Sequence, residues 1–142
     1  MTLLIGKPQP KVKVKSISSL KKHADKWCSI YVRQSAADSE GFALCYTCSK
    51  RAEWKALQAG HFLTRAISAT RYELDNLRVQ CAGCNIWGRG KTNVFADRLL
   101  KELGVRAFRK LLALGRETHQ FTRKELEGII QDFKEKVEQL DK

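Results

Sequence analysis

A chain of 142 residues is the length of one compact domain, and a 43% hydrophobic content is enough for a modest core. Its 27 Lys and Arg against 15 Asp and Glu leave a net charge of +12, which points to a polyanionic partner, nucleic acid ahead of an anionic membrane. No apolar run approaches the roughly 20 residues of a spanning helix, and nothing at the start reads as a signal peptide, so no membrane partner and a reducing cytoplasm are expected.

Residues 1–18 contain "KPQPKVKVKSIS", two prolines with alternating Lys–Val and serines, and have little to pack. They read as a basic extended arm, able to pair as an edge strand. Lys7, Lys11, Lys13 and Lys15 suit either a solvated tail or a DNA backbone. From Ser19 to about Ala36, the apolar positions Leu20, Ala24, Trp27, Ile30 and Tyr31 predict a first amphipathic helix. Cys28 lies on it and reads as a buried apolar residue.

Residues 40–92 change character. They hold Gly41, Gly60, Gly83, Gly88 and Gly90, and only short apolar runs such as "FALCYTC" and "NLRVQC". Two or three short strands among loops are expected, with too little core to hold one shape without a staple. From Asn93 the pattern is helical. "VFADRLLKELG" and "VRAFRKLLALG" end at Gly104 and Gly115, and Gly104 suits a C-cap. Thr122 and Glu125 have capping-box spacing. Beyond them Leu126, Ile130, Phe133, Val137 and Leu140 step by 4, 3, 4 and 3, the spacing of a coiled-coil seam. That seam suits either packing on the chain's own helices or a contact between two copies. The expected division is a basic arm over 1–18, a stapled domain with its leading helix over 19–103, and a helical extension over 104–142. The expected fold class is α+β.

Cys45 and Cys48 form one CxxC pair and Cys81 and Cys84 another, with 32 residues between them. Each loop lets two thiolates converge on one ion, and two loops complete a closed tetrahedral site. Four soft thiolates favour Zn2+, and iron–sulfur clusters use the same ligand type. A closed four-thiolate zinc offers no position to a substrate, so its part would be structural. His61, between the pairs, is then not needed as a ligand.

In "AGHFLTRAISATRYELDNLRVQCAGCN", His61, Asn76 and Asn85 follow in order, interleaved with Arg65, Arg71 and Arg78. This layout resembles the HNH nucleases, also called His-Me finger or ββα-metal enzymes. The order CxxC, W…AGHF, R…TRY, D-N and QCxxCN resembles the NinG/Rap family of phage recombination nucleases. The cysteine-and-asparagine part is also similar to phage endonuclease VII. The likeness spans about residues 20–103 and is densest from Cys45 to Asn85.

The resemblance implies a small ββα-metal core and a role for each matching position. His61 would be the general base, Asn76 would brace the loop bearing it, and Asn85 would bind a single Mg2+ or Mn2+ through its side-chain oxygen. Arg65 or Arg71 would clamp a phosphate oxygen, with non-catalytic DNA contact as the alternative for each arginine. Arg78, Arg89 and Lys91 join the arm lysines as expected DNA contacts. Many HNH enzymes carry a metal-binding Asp just before the histidine, where this chain has Gly60. Either Asn85 is then the only protein ligand, or a carboxylate such as Asp75 or Asp97 substitutes. "WGRGKTN" after Asn85 is looser than the family pattern, with Asn93 as a possible counterpart of its later asparagine.

The implied function is metal-dependent hydrolysis of branched DNA, such as Holliday junctions, D-loops or flaps, by an enzyme expected to be a homodimer. Two alternatives share the positive charge. One is an HNH nickase or restriction-type enzyme on linear duplex, the other a zinc-stapled DNA-binding module without catalysis.

Overall fold

The computed structural model describes residues 6–11 and 13–141. Residues 1–5 and 12 of the expected arm lie outside the described residues. The rest of that arm, up to Ser16, forms no helix or strand, and Lys7, Lys11, Lys13 and Lys15 are exposed.

Helix α1 spans Ile17–Ser35. It starts two residues before the predicted Ser19 because Ser16 is its cap, accepting the Ser19 backbone N–H at 3.1 Å. Leu20, Ala24, Cys28 and Val32 form its buried stripe at steps of four. Burial among them pushes the Cys28 thiol up to about 12, so it stays protonated and apolar.

Four short strands follow, more than the two or three expected. β1 (Phe42–Leu44) and β2 (Arg51–Glu53) form one antiparallel hairpin, with Cys45 and Cys48 in its turn. β3 (Gln58–His61) and β4 (Leu77–Gln80) form a second, in which Gln58 faces Gln80 and His61 faces Leu77. Directly after β4 comes a helical turn, Gly83–Trp87, closed by an i→i+5 bond from the Gly88 N–H to the Gly83 carbonyl at 2.7 Å.

Helices α2 (Thr92–Leu103) and α3 (Val105–Leu114) are separated by Gly104, whose φ of +83° ends the first helix where the glycine predicted it. Helix α4 (Arg123–Leu140) is capped by Thr122, which accepts the Glu125 N–H at 3.2 Å.

Helix α4 packs along α1. Leu126 is fully buried with Leu20 and Ala24, and Phe133 joins Cys28, Val32 and Leu77. The heptad-spaced seam is therefore filled inside the chain, leaving Leu140 exposed. Through Phe133 and Leu77 the last helix shares a core with β4, and α1 in turn backs both strands of the second hairpin. A separate cluster of Phe95, Leu99 and Leu111 from α2 and α3 packs against Phe62 and Leu63, the two residues that follow His61. The second hairpin is thus supported by helices on two sides. Among the described residues no helix is long and apolar enough to cross a membrane.

Candidate functional site

The sulfurs of Cys45, Cys48, Cys81 and Cys84 all lie within 4.8 Å of one another, with Cys48 and Cys81 3.7 Å apart. Zn–S bonds of about 2.3 Å in a tetrahedron place sulfurs roughly 3.8 Å apart, so the cluster can hold a metal such as zinc. Burial opposes a thiolate at Cys45. The Cys81 N–H, the Thr47 hydroxyl and the Thr47 and Cys48 N–H groups aimed at its sulfur outweigh that and hold its pKa down to about 6. A thiolate-ready sulfur surrounded by N–H donors is the donor chemistry that a zinc knuckle needs.

This cluster also sets the neighbouring side chain. Asn85 follows Cys84 in the helical turn, and its N–H donates to the Cys81 carbonyl at 2.9 Å. Its side-chain Nδ2 donates to Gln58 Oε1 at 2.8 Å. Gln58 thereby fixes the amide, and Oδ1, the oxygen able to ligate a cation, has no hydrogen-bond partner among the described residues.

His61 closes β3 and lines a cleft of about 370 Å3 together with Asn85, Gln58, Arg65, Arg71 and Asp25. Its Nε2–H donates to the Arg71 carbonyl at 2.9 Å. A carbonyl can only accept, so the proton sits on Nε2, and Nδ1 keeps its lone pair. Burial lowers the His61 pKa below its ordinary 6.5, with Arg65 and Arg71 acting in the same direction. The Arg71 carbonyl and Asp25 oppose the shift. At neutral pH the ring is an uncharged base with a fixed tautomer.

Asn76 has no exposed surface. Its Oδ1 accepts the Leu63 N–H at 2.7 Å, and Nδ2 donates to the carbonyls of Leu63 at 3.0 Å and Thr70 at 3.1 Å. Its own carbonyl accepts the Phe62 N–H at 2.9 Å. One side chain ties both ends of the loop that leaves His61 and returns to β4.

The arginines divide. Arg71 grips Asp25 bidentately, at 2.9 and 2.6 Å, with only 16% of its side chain exposed. Arg65 lies 3.9 Å from the same carboxylate and is 66% exposed, so it is free to turn toward a ligand. Arg78 is placed elsewhere. It donates to Glu102 and to the carbonyls of Leu74 and Leu77, which leaves it a packing part with few free donors for DNA. Arg89 and Lys91 are exposed just beyond the helical turn.

Of the two alternatives at the Gly60 position, a carboxylate from Asp75 or Asp97 does not reach the cleft. Asp75 is exposed beyond the cleft, and Asp97 on α2 pairs with Lys101. Asn93 is exposed on the first turn of α2. Among the described residues the one carboxylate lining the cleft is Asp25, from α1, and Arg71 already neutralises it. The Gly60 position is full. A Cβ built there would lie 1.9 Å from Oε1 of Gln80, a side chain with no exposed surface whose Nε2 donates to Thr47 Oγ1 and the Gly90 carbonyl.

Asp25, Gln58 and Gln80 are the site residues that sequence reasoning missed. Asp25 and Gln58 belong to no spaced motif, and Gln80, although the first residue of QCxxCN, acts through contacts with Thr47 and Gly90 that the motif does not disclose.

A family model described as Bacteriophage Lambda NinG protein matches residues 7–142, and the chain belongs to that family. No curated protein and no solved structure matches.

Proposed function

We propose that this NinG-family chain is a metal-dependent DNA endonuclease of the HNH type, acting on branched DNA. The observation that carries the reading is the His61 imidazole. It is neutral, has Nε2 fixed by the Arg71 carbonyl so that Nδ1 keeps its lone pair, and lines a cleft shared with Asn85. A hairpin followed at once by a helical turn brings these two residues, 24 positions apart, to one place.

In this mechanism Nδ1 of His61 takes a proton from a water as the water attacks the phosphorus. The bond to the 3′ oxygen breaks and that oxygen takes a proton from solvent water, leaving a 5′-phosphate and a 3′-hydroxyl. Arg65, exposed and at the cleft's edge, clamps a phosphate oxygen with its planar fork. Arg71 acts at one remove. Asp25 pins its guanidinium while its carbonyl sets the tautomer of the base. Asn76 keeps the base still by tying the loop that bears it.

Asn85 Oδ1 fits a hard cation, Mg2+ or Mn2+, although a single neutral oxygen is a sparse set that substrate phosphate and water must complete. When bound, such an ion would neutralise charge at the scissile phosphate and the leaving oxygen. The cysteine cluster serves as a separate, structural zinc site.

The +12 charge supports a nucleic-acid substrate, and the likeness to the NinG/Rap recombination nucleases implies a DNA of phage recombination. Two-fold junctions are cut symmetrically most easily by a dimer. The α4 seam is filled by α1, so we place any contact between copies on another face.

The test is cleavage of a labelled four-way junction and a linear duplex of the same sequence, with and without added Mg2+. Junction cleavage that needs the metal is expected. Equal cutting of both substrates would remove the branched-DNA specificity, and no cutting of either with Mg2+ or Mn2+ would remove the nuclease.

A further inference from the structure

Trp87 is 83% exposed, the barest large hydrophobic side chain among the described residues, and Ile86 beside it is 54% exposed. Both follow Asn85 in the helical turn that closes the His61 cleft. Scattered exposed apolar residues need no explanation. Here two stand together, beside a catalytic candidate, on a segment built to hold them out.

That segment is tightly fixed at its base. The Gly88 N–H bonds the Gly83 carbonyl at 2.7 Å. A Cβ at Gly88 would lie 2.8 Å from the Cys84 carbonyl, so only glycine lets the chain turn there. Gln80 Nε2 holds the Gly90 carbonyl at 2.9 Å. Cys84, in the same turn, is one of the clustered sulfurs. Arg89, Gly90 and Lys91 then run through the left-handed region at φ of 53°, 82° and 48°. Two of these are not glycine, a backbone cost that persists only where the surroundings impose it. The indole is therefore presented on a pre-ordered support, and little freedom is lost when it makes a contact.

The charge around it selects the contact. From Asn76 to Ala96 the chain has no carboxylate, while Arg89 and Lys91, both exposed, follow Trp87 within four residues. An exposed aromatic face on a segment whose charges are all basic suits a polyanion that also shows flat apolar faces. A nucleic acid with unstacked bases has that chemistry. A continuous duplex offers only base edges in its grooves, its faces being covered by their neighbours. At a branch, flap or fork one base pair loses its neighbour and shows its face.

We propose that Trp87 is a stacking wedge, its indole lying on the base face exposed at a DNA branch point, with Ile86 filling the gap beside it and Arg89 and Lys91 holding the adjoining phosphates. This rests on the branched-DNA reading above and gives it a discriminating residue. Trp87 touches no reacting atom, so it sets which DNA is engaged and not how the phosphate is cut.

The test is equilibrium binding, without added Mg2+, of a four-way junction and a linear duplex of equal length by the full chain and its Trp87→Ala and Trp87→Phe variants. Loss of one base–aromatic stack is expected to weaken junction binding about ten-fold in Trp87→Ala. Duplex binding should stay unchanged, and Trp87→Phe should keep most of the junction affinity. A 2-aminopurine base at the branch should change its fluorescence with the unsubstituted chain and not with Trp87→Ala. The proposal is overturned if junction and duplex affinities fall together, if neither falls, or if the unsubstituted chain shows no junction preference. It is also overturned if Trp87→Ala instead lowers the sedimenting mass, which would make the patch a contact between copies. Failure of the nuclease reading shows separately, as absence of Mg2+-dependent cleavage whatever the binding ratio.

Discussion

A Cβ at Gly60 would sit 1.9 Å from the buried Oε1 of Gln80, so the glycine is a packing requirement of this chain. The position before His61 has no room for the carboxylate seen in many HNH enzymes. Gly60→Asp should therefore cost about 1–3 kcal/mol of stability through overpacking. In urea unfolding, Gly60→Ala combined with Gln80→Ala should be less unstable than the sum of the two single changes. A Gly60→Asp chain as stable as the original would contradict this packing. At His61, burial holds the pKa below 6.5. The base form accumulates as pH rises through that lowered value, so the cleavage rate should climb through a midpoint below pH 6.5 and be flat above it. The sign for stability follows from the same shift. Between the lowered pKa and 6.5 the unfolded chain binds more protons than the folded one. The contribution is thus complete above 6.5 and fades as pH falls. A cleavage midpoint clearly above 6.5 would contradict the buried neutral imidazole.

The elements differ in how far the sequence disclosed them. The helices were legible because their apolar stripe repeats over several turns, as with Leu20, Ala24, Cys28 and Val32, and because Thr122 and Gly104 mark ends. Strands of three or four residues carry too few alternations to be counted, which is why four were found where two or three were expected. The cysteine pairs were legible from spacing alone, and His61, Asn76 and Asn85 from their order. The supporting contacts were not legible, because they join residues far apart in the chain. Asp25 meets Arg71 across 46 positions, Gln58 meets Asn85 across 27, and Gln80 meets Thr47 across 33. The knuckle and the helical turn act as one element, since Cys84 precedes Asn85 and the Cys81 carbonyl holds its N–H. Cys84→Ser should lower zinc content from one ion per chain and depress the thermal midpoint. Unchanged zinc and midpoint would contradict the four-cysteine site. Leu126, fully buried between α4 and α1, should cost about 2–5 kcal/mol in urea unfolding when changed to Ala. A near-neutral result would mean that the two helices do not share a core.

Across the whole molecule, charge is unevenly spread. The larger concavity, about 700 Å3 beside α4, is lined by Glu73, Glu117, Glu125 and Asp132 against the single lysine Lys136, with His119 beside Glu125. The His61 cleft instead carries Arg33, Arg65 and Arg71 against the single carboxylate of Asp25. A polyanion is therefore drawn to the cleft and turned away from the α4 groove. The architecture serves that cleft. Helix α1 backs the hairpin, α2 and α3 hold the residues after His61, and the cysteine cluster fixes Asn85. What unites these parts is the claim that His61 is the general base of a DNA endonuclease. The most direct test is single-turnover cleavage of a labelled four-way junction with Mg2+ at neutral pH, by the unsubstituted chain and by His61→Ala. Loss of general-base catalysis should slow cleavage by roughly 10²–10⁴-fold while junction affinity is unchanged. Cleavage by His61→Ala at the unsubstituted rate would contradict the account.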